Sequence, residues 1–281
     1  MHSPEPPRPI RLIRRVTVPG ATLRVGEVGD GPPLLMLNGI GGNLEMWDPV
    51  LRRLRGRRLV MPDMPGAGES PALLRPRRMP GLASLVVDLL DELGIERTAV
   101  LGYSWGGALA QQLAWQAPDR VSALVLGATM TGLGGQPPPP WVAALMVSPA
   151  RYYSKSYLRL VAPVVFGSSP SSAADSSHGN ARIARPPSPV GYSQQMWAIS
   201  GWSSRRWLRG LDVPTLVLSG ARDPLVRPRN GQILAEGIPG ARLHVVDGGH
   251  LFMLEQPEET CRVVTDFLEE VAAASADGST A

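Results

Sequence analysis

Gly102-Tyr103-Ser104-Trp105-Gly106 constrains this chain more than any other stretch. It follows the apolar run Thr98-Ala99-Val100-Leu101 and precedes Gly107-Ala108-Leu109-Ala110-Gln111-Gln112-Leu113-Ala114, which reads as helix. Gly-x-Ser-x-Gly between a buried strand and a helix predicts a very tight turn. A side chain on either flank would strike the neighbouring strand or helix. Ser104 is then pushed up at the carboxyl edge of a sheet with its hydroxyl exposed, and the amino end of the next helix faces it. A Gly-rich turn with an idle serine would have the same letters, so the remaining chain must supply partners for Ser104.

The flanking pattern predicts the sheet. Residues 11–18 and 22–28 read as strands joined by Pro19-Gly20-Ala21. Continuous apolar runs at 34–37, 59–61, 98–101, 123–126 and 214–218, with 242–246 last, have the form of strands buried on both faces. Helical periodicity lies between them at 44–54, at 82–93 (stopping at Gly94) and at 258–273. Buried strands alternating with helices imply a mostly parallel sheet covered on both sides, an α/β fold. The rhythm fails between 131 and 208, where no strand pattern occurs. We expect residues 1–130 and 209–281 to form the core, and 131–208 a mainly helical insertion lying over the sheet edge as a lid. Within it, 168–189 is rich in Ser, Ala, Pro and Gly and reads as a flexible or poorly ordered loop. Tyr192, Met196, Trp197, Trp202 and Trp207 give the insertion a large apolar surface. Packing against the core accounts for most of it, and one or two of these side chains can line a pocket for an acyl chain.

A serine hydroxyl needs a base to take its proton as it attacks. The chain has four histidines. His2 lies in a tail, His178 in the polar run, and His244 within a strand. His250 follows Asp247-Gly248-Gly249 just past the last strand, where a base can reach Ser104. The acid that orients it is expected at Asp223, in the loop after 214–218, giving the chain order Ser, Asp, His. Asp247 is the competitor, but it sits too close in sequence to His250 for a well-aimed contact. Asp212 precedes its strand and belongs at the opposite edge. Two backbone donors are expected for a developing oxyanion. They are the N–H of Trp105 and, from the loop Asn38-Gly39-Ile40-Gly41-Gly42-Asn43, the N–H of Ile40. No Lys-Ser/Thr pair follows that Gly-rich loop, which disfavours a phosphate site. Asn38, Tyr103, Met196, Trp197 and Trp202 are the candidate substrate contacts. Asp63-Met64-Pro65-Gly66-Ala67-Gly68-Glu69-Ser70 reads as a structural turn.

Composition narrows the function classes. There are 28 basic and 24 acidic residues, and Lys155 is the only lysine. The arginines cluster at 52–58 and 75–78, near turns and helix ends, and lack the interleaved aromatics of a nucleic-acid surface. Cys261 is the only cysteine, so no intrachain disulfide forms, and its amphipathic setting reads as a small packed hydrophobe. Residues 1–9 have no apolar core like that of a secretory signal. The run 141–147 falls far short of the ~20 residues that span a bilayer. The sequence is therefore read as a cytoplasmic protein without a transmembrane segment. It shows no metal or cofactor motif, and a serine mechanism needs neither.

Taken together these motifs resemble the α/β-hydrolase superfamily over nearly the whole chain. Five stretches, 37–45, 104–112, 201–204, 214–218 and 247–252, are similar to those of intracellular medium-chain-length poly(3-hydroxyalkanoate) depolymerases. The likeness implies a serine esterase cleaving storage polyesters or their oligomers through an acyl-enzyme on Ser104, with Asp223 and His250 completing the triad. It also implies an ester or polyester partner at a storage-granule surface. The polymer synthases of this fold carry cysteine at the elbow, so Ser104 argues for hydrolysis. A carboxylesterase or lipase acting on small or medium-chain acyl esters uses the same residues. A carbon–carbon hydrolase or cofactor-free haloperoxidase would share the triad, and a non-catalytic granule-coat protein would share the fold.

Overall fold

A computed structural model of the protein describes residues 12–277. Eight strands form one sheet: β1 (Leu12–Val18), β2 (Ala21–Val28), β3 (Pro33–Leu37), β4 (Arg58–Pro62), β5 (Thr98–Tyr103), β6 (Val121–Gly127), β7 (Thr215–Gly220) and β8 (Arg242–Val246). Their order is β1-β2-β4-β3-β5-β6-β7-β8. The first hairpin and the β2–β4 pair are antiparallel, and the other pairs are parallel. The expected mostly parallel sheet is present.

Each central strand feeds two cores, because successive side chains leave a strand on opposite faces. Leu35, Leu37 and Val100 belong to one buried cluster. Leu34, Met36, Ala99 and Leu101 belong to the other. Helices cover both. On the first face lie α2 (Met79–Glu92) and α3 (Trp105–Gln116), and α2 turns Leu82, Leu85, Val86, Leu89 and Leu90 inward. It ends at Gly94, whose φ of +64° reverses the chain. On the second face, α11 (Pro257–Asp277) buries Cys261, Val264, Phe267 and Leu268 at helical spacing. Near α11 run the short α1 (Asp48–Leu51) and α10 (Phe252–Glu255). The helix expected at 44–54 is only partly α: a 3-10 turn covers Leu44–Trp47 before α1, and Pro49 occupies the first α turn. The helix α9 (Pro228–Gly237) packs on β7 and β8. No described helix is long and apolar enough to cross a membrane.

Between β6 and β7 the chain builds α4 (Pro140–Val147), α5 (Lys155–Val165), α6 (Pro170–Asp175), α7 (Ser177–Ala184) and α8 (Pro189–Ile199). The run 168–189, expected as a structureless loop, carries α6 and α7. Composition missed them because serine caps outweigh weak helix propensity here. Ser169 Oγ accepts from the N–H of Ser172, and Ser176 Oγ from that of Gly179, satisfying donors that helix starts leave open. Ala173 and Ala174 are fully buried, with α6 packed on α5 and α7 on the 3-10 turn at Leu44–Trp47.

The segment docks by close backbone approach. Gly66, in the loop after β4, lies so near Gly191 of α8 that a Cβ on either would fall on the other's Cα. Beneath it, Asp63 is wholly buried. Its carboxylate accepts from the N–H groups of Leu44 (2.7 Å) and Glu69 (3.1 Å) and from Arg24 (3.1 Å). The turn 63–70 is thus a structural knot, as read from sequence. Arginines of both clusters are also tied down. Arg58 pairs with Glu27 at 2.7 Å, and Arg78 donates to the carbonyls of Trp197 and Ser200.

Candidate active site

The carboxyl ends of β3, β5, β7 and β8 bring the site together. Ser104 follows β5 with φ 54° and ψ −118°, a backbone conformation costly for a residue with a side chain. Three glycines permit it. A Cβ at Gly102 would meet the carbonyl oxygen of Gly106 and Ala110, one at Gly106 the carbonyl oxygens of Leu37 and Asn38, and one at Gly107 the side chain of Thr129. The Ser104 N–H donates to Gly127 at 2.8 Å, and its carbonyl accepts from Thr129 Oγ1 at 2.7 Å. The turn therefore cannot relax.

His250 Nε2 lies 3.1 Å from Ser104 Oγ, and His250 Nδ1 lies 2.7 Å from Asp223 Oδ2. Asp223 is 2% exposed, and its other oxygen accepts from the N–H groups of Leu225 (2.9 Å) and Val226 (2.8 Å). That fork fixes the carboxylate's aim. Asp247 is exposed on the surface and paired with Arg222, so it does not compete. His250 is held at its backbone too: its N–H donates to the Phe166 carbonyl at 2.6 Å, and its own carbonyl accepts from Tyr103 Oη. The Phe166 ring stacks on the imidazole, with centroids 6.0 Å apart and planes 14° apart. His244 instead bonds Glu259 at 3.0 Å, and His178 is buried on α7. His2 lies outside the described residues.

The loop after β3 abuts Ser104: a Cβ at Gly39 would sit 3.4 Å from Ser104 Cβ. Its N–H groups divide clearly. That of Gly39 is taken by Asn38 Oδ1 (2.8 Å), that of Gly41 by Gln195 Oε1 (2.7 Å) and that of Gly42 by the Gly39 carbonyl (2.9 Å). The N–H of Ile40 has no such bond among the described residues, and the N–H of Trp105 opens the first turn of α3, where helices leave donors unused. Segment residues brace the loop. Tyr152 Oη donates to the Ile40 carbonyl, and Gln195 also bridges to Pro65.

Two cavities open on Ser104. One, of about 230 Å³, is almost entirely apolar. Its wall includes Ala108, Met130, Ala143, Met146, Met196 and Ile199. The other is small, about 30 Å³, and runs past His250 towards Tyr152, Phe166, Arg151 and Arg182.

These positions sort the expected substrate contacts. Met196 lines the apolar cavity. Asn38 and Tyr103 line the small one, though both side chains are also spent internally, Asn38 on its own loop and Tyr103 on His250. Trp197 and Trp202 line neither cavity. Trp197 is 40% exposed with the Arg78 guanidinium 3.7 Å from its ring centroid. Trp202 is buried, donating from Nε1 to Gln112 at 2.9 Å and meeting Trp207 edge-on. Both tryptophans hold the segment to the core. Sequence reading missed Met146, Ile199, Leu225, Phe166, Arg151 and Arg182. Tertiary packing alone brings these side chains to the cavity walls, and no local pattern marks them.

Comparison with known proteins agrees with this architecture. A family model described as alpha/beta hydrolase fold matches residues 32–164 and 143–257. A poly(3-hydroxyalkanoate) depolymerase of Ectopseudomonas oleovorans is 40% identical over 239 residues, covering 85% of this chain and 84% of the relative. 3-Oxoadipate enol-lactonase 2 of Acinetobacter baylyi is 29% identical over 82% of this chain and 85% of its own. The crystal structure of the enol-lactonase from Burkholderia xenovorans LB400 superposes with a TM-score of 0.80 at 28% identity, covering 91% of this chain and all of that one. The sheet order, the strained serine turn and these likenesses place the chain in the α/β-hydrolase family.

Proposed function

We propose that the protein hydrolyses the ester bonds of a medium-chain-length poly(3-hydroxyalkanoate) or of its oligomers. Ser104 Oγ attacks the ester carbonyl while His250 Nε2 takes its proton, and Asp223 holds the imidazole and balances its charge. The N–H groups of Ile40 and Trp105 receive the oxyanion. His250 then gives the proton to the departing alcohol. A water activated by the same imidazole hydrolyses the acyl-enzyme and frees Ser104. Residues 131–208 act as a lid that excludes bulk water and shapes the substrate site. A granule surface is the setting in which such a substrate would be met.

The 40% identical relative, a poly(3-hydroxyalkanoate) depolymerase, supports this substrate class. The observation that carries the reading is the apolar 230 Å³ cavity opening directly on Ser104. It suits an alkyl chain, and each methylene buried there contributes about 0.8 kcal/mol. A carboxylesterase on small or medium-chain acyl esters is the second reading, favoured by how closely the segment walls in both cavities.

The test is a parallel assay on p-nitrophenyl butyrate, p-nitrophenyl octanoate and a medium-chain polyester suspension. We expect kcat/KM for octanoate to exceed that for butyrate by on the order of a hundredfold, four methylenes being worth up to about 3 kcal/mol. We also expect 3-hydroxyacids to be released from the polyester or its oligomers. Hydrolysis of the p-nitrophenyl esters without any release of 3-hydroxyacid would leave the carboxylesterase reading in its place.

A further inference from the structure

The small cavity ends in positive charge that the ester chemistry described above does not use. Arg182 of α7 is 3% exposed, and its Nε and Nη1 have no hydrogen-bond partner. Arg151 is 1% exposed. Its Nη1 donates to the Ser148 carbonyl (2.9 Å) and its Nη2 to Tyr192 Oη (2.8 Å), while its Nε has no partner. Among the described residues neither guanidinium is in an ion pair. Both approach one ring: the Arg151 Cζ lies 4.8 Å and the Arg182 Cζ 5.3 Å from the Tyr152 centroid. Arg182 also lies 4.9 Å from the Phe166 centroid. Ring faces offset part of the burial cost, but buried N–H groups without acceptors and two like charges around one ring remain unfavourable. Burial, with the neighbouring Arg151 charge adding to it, lowers the Arg182 pKa from the ordinary arginine value. A bound anion would relieve each of these penalties.

The position identifies the anion. Both arginines and His250 line the same cavity. Phe166 stacks on His250, and the Arg182 Cζ lies 4.9 Å from the same Phe166 ring, so the charge stands close to the base. His250 protonates the leaving alcohol, so the leaving group occupies its side of Ser104. A space of about 30 Å³ admits roughly two water-sized groups, which suits the two oxygens of a carboxylate and no alkyl chain. In a 3-hydroxyacyl chain the last unit presents such a group, with its carboxylate carbon three bonds from the scissile ester oxygen. Guanidinium forks match carboxylates in geometry and charge.

We propose that Arg182 and Arg151 form a carboxylate subsite that holds the free acid end of an oligomeric 3-hydroxyacyl ester. This rests on the polyester reading and deepens it, since the enzyme then acts at the carboxyl terminus and removes one 3-hydroxyacid per turnover. The acyl–oxygen bond of the last linkage breaks as the Ser104 Oγ–carbonyl bond forms. The terminal unit leaves as an alcohol with the proton carried by His250, and its carboxylate is unchanged. Water then supplies the oxygen and proton that release the shortened chain as a new acid, ready to enter the same subsite.

The experiment compares kcat/KM for a 3-hydroxyoctanoate trimer as free acid and as its methyl ester. A charge-assisted bond of this kind predicts a preference for the acid of about thirtyfold in the wild type. In Arg182→Met the ratio should fall to within about threefold of unity, and Arg182→Lys should restore part of it. Equal kcat/KM for acid and ester in the wild type overturns the subsite, as does an unchanged ratio in a folded Arg182→Met. A second arm keeps the subsite separate from the polyester reading: inhibition of p-nitrophenyl butyrate hydrolysis by 3-hydroxyoctanoate and by its amide. A Ki at least tenfold lower for the acid supports the subsite even if no oligomer is cleaved, and equal Ki values reject it. If Arg182→Met fails to fold, the wild-type acid-to-ester ratio and the two Ki values still decide.

Discussion

The carboxyl edge of the sheet and the segment 131–208 packed against it follow different structural rules. At the edge, backbone fixes function. Ser104 is locked by its own φ and ψ and by three glycines, Asp223 by two N–H groups, and His250 by its N–H and carbonyl. Where the segment meets the site, side chains do the holding: Gln195 on Gly41, Tyr152 on Ile40, and the indole Nε1 of Trp105 on the Gln195 carbonyl at 3.0 Å. A backbone-built site tolerates almost no change of geometry, whereas side-chain contacts can be exchanged one at a time. The first region should therefore set whether the reaction occurs, and the second what reaches it.

The largest expected effects lie at the edge. Ser104→Ala should lower kcat on p-nitrophenyl octanoate by on the order of a million-fold. Asp223→Asn should cost on the order of ten-thousandfold, since the imidazole would lose its anchored tautomer. Both variants should melt within a few degrees of the wild type. Met196→Ala, on the cavity wall, should instead change the octanoate-to-butyrate ratio by about tenfold or less. If Met196→Ala abolishes turnover as Ser104→Ala does, the division between the two regions fails.

Stability should show the same contrast. A Cβ at Gly106 would collide with the Leu37 and Asn38 carbonyls, which are backbone and cannot swing aside. Gly106→Ala should push α3 off β3 and cost about 3 kcal/mol in urea unfolding. Gly201, in the segment, has φ +75°, and no atom lies within 4 Å of the point a Cβ would occupy there. Gly201→Ala should therefore cost only the left-handed backbone penalty of about 1–2 kcal/mol. Equal losses at the two positions would show that the elbow is no more rigid than the segment.

The same division explains what could be read from the chain. Residues of the edge are legible because glycine, serine and buried apolar runs are there for local reasons. Gly102, Gly106 and Gly107 announce the turn, the runs at 98–101 and 214–218 announce their strands, and Asp223 and His250 follow strand ends. The segment is illegible where its meaning is tertiary. Nothing local marks Ser169 and Ser176 as caps rather than loop residues. Trp197 and Trp202 drew attention by size, yet they bind the segment to the core, while Met146 and Ile199 face the apolar cavity. Nothing local sets Arg151 and Arg182 apart from the other arginines; only the fold buries them.

A pH-dependent contrast pits one buried titratable group of each region against the other. His178, on α7, is driven down to about 3, first by burial and then by the Arg182 charge. Ser176 Oγ bonds its ring, and Arg52, Arg53, Glu255 and Glu258 line the adjoining groove. Unfolding lets it titrate near 6.5, so its contribution is fully present above about pH 6.5 and is lost as pH falls from there towards 3. Asp63, in the core, is pushed up to about 6 by burial, against the pull of the Glu69 N–H and the Arg24 charge. Its unfolded value is near 3.9, so its contribution is fully present below that pH and is lost as pH rises towards 6. Between pH 4 and 6 the two slopes oppose each other, each about 1.4 kcal/mol per pH unit. His178→Leu removes one of them. Relative to the wild type, the variant should gain about 2.5 kcal/mol of stability when pH falls from 6 to 4, measured by urea unfolding at each pH. A wild-type-to-variant difference that does not change with pH would mean that His178 takes up its proton in the folded segment, and that the segment is open to water where the core is not.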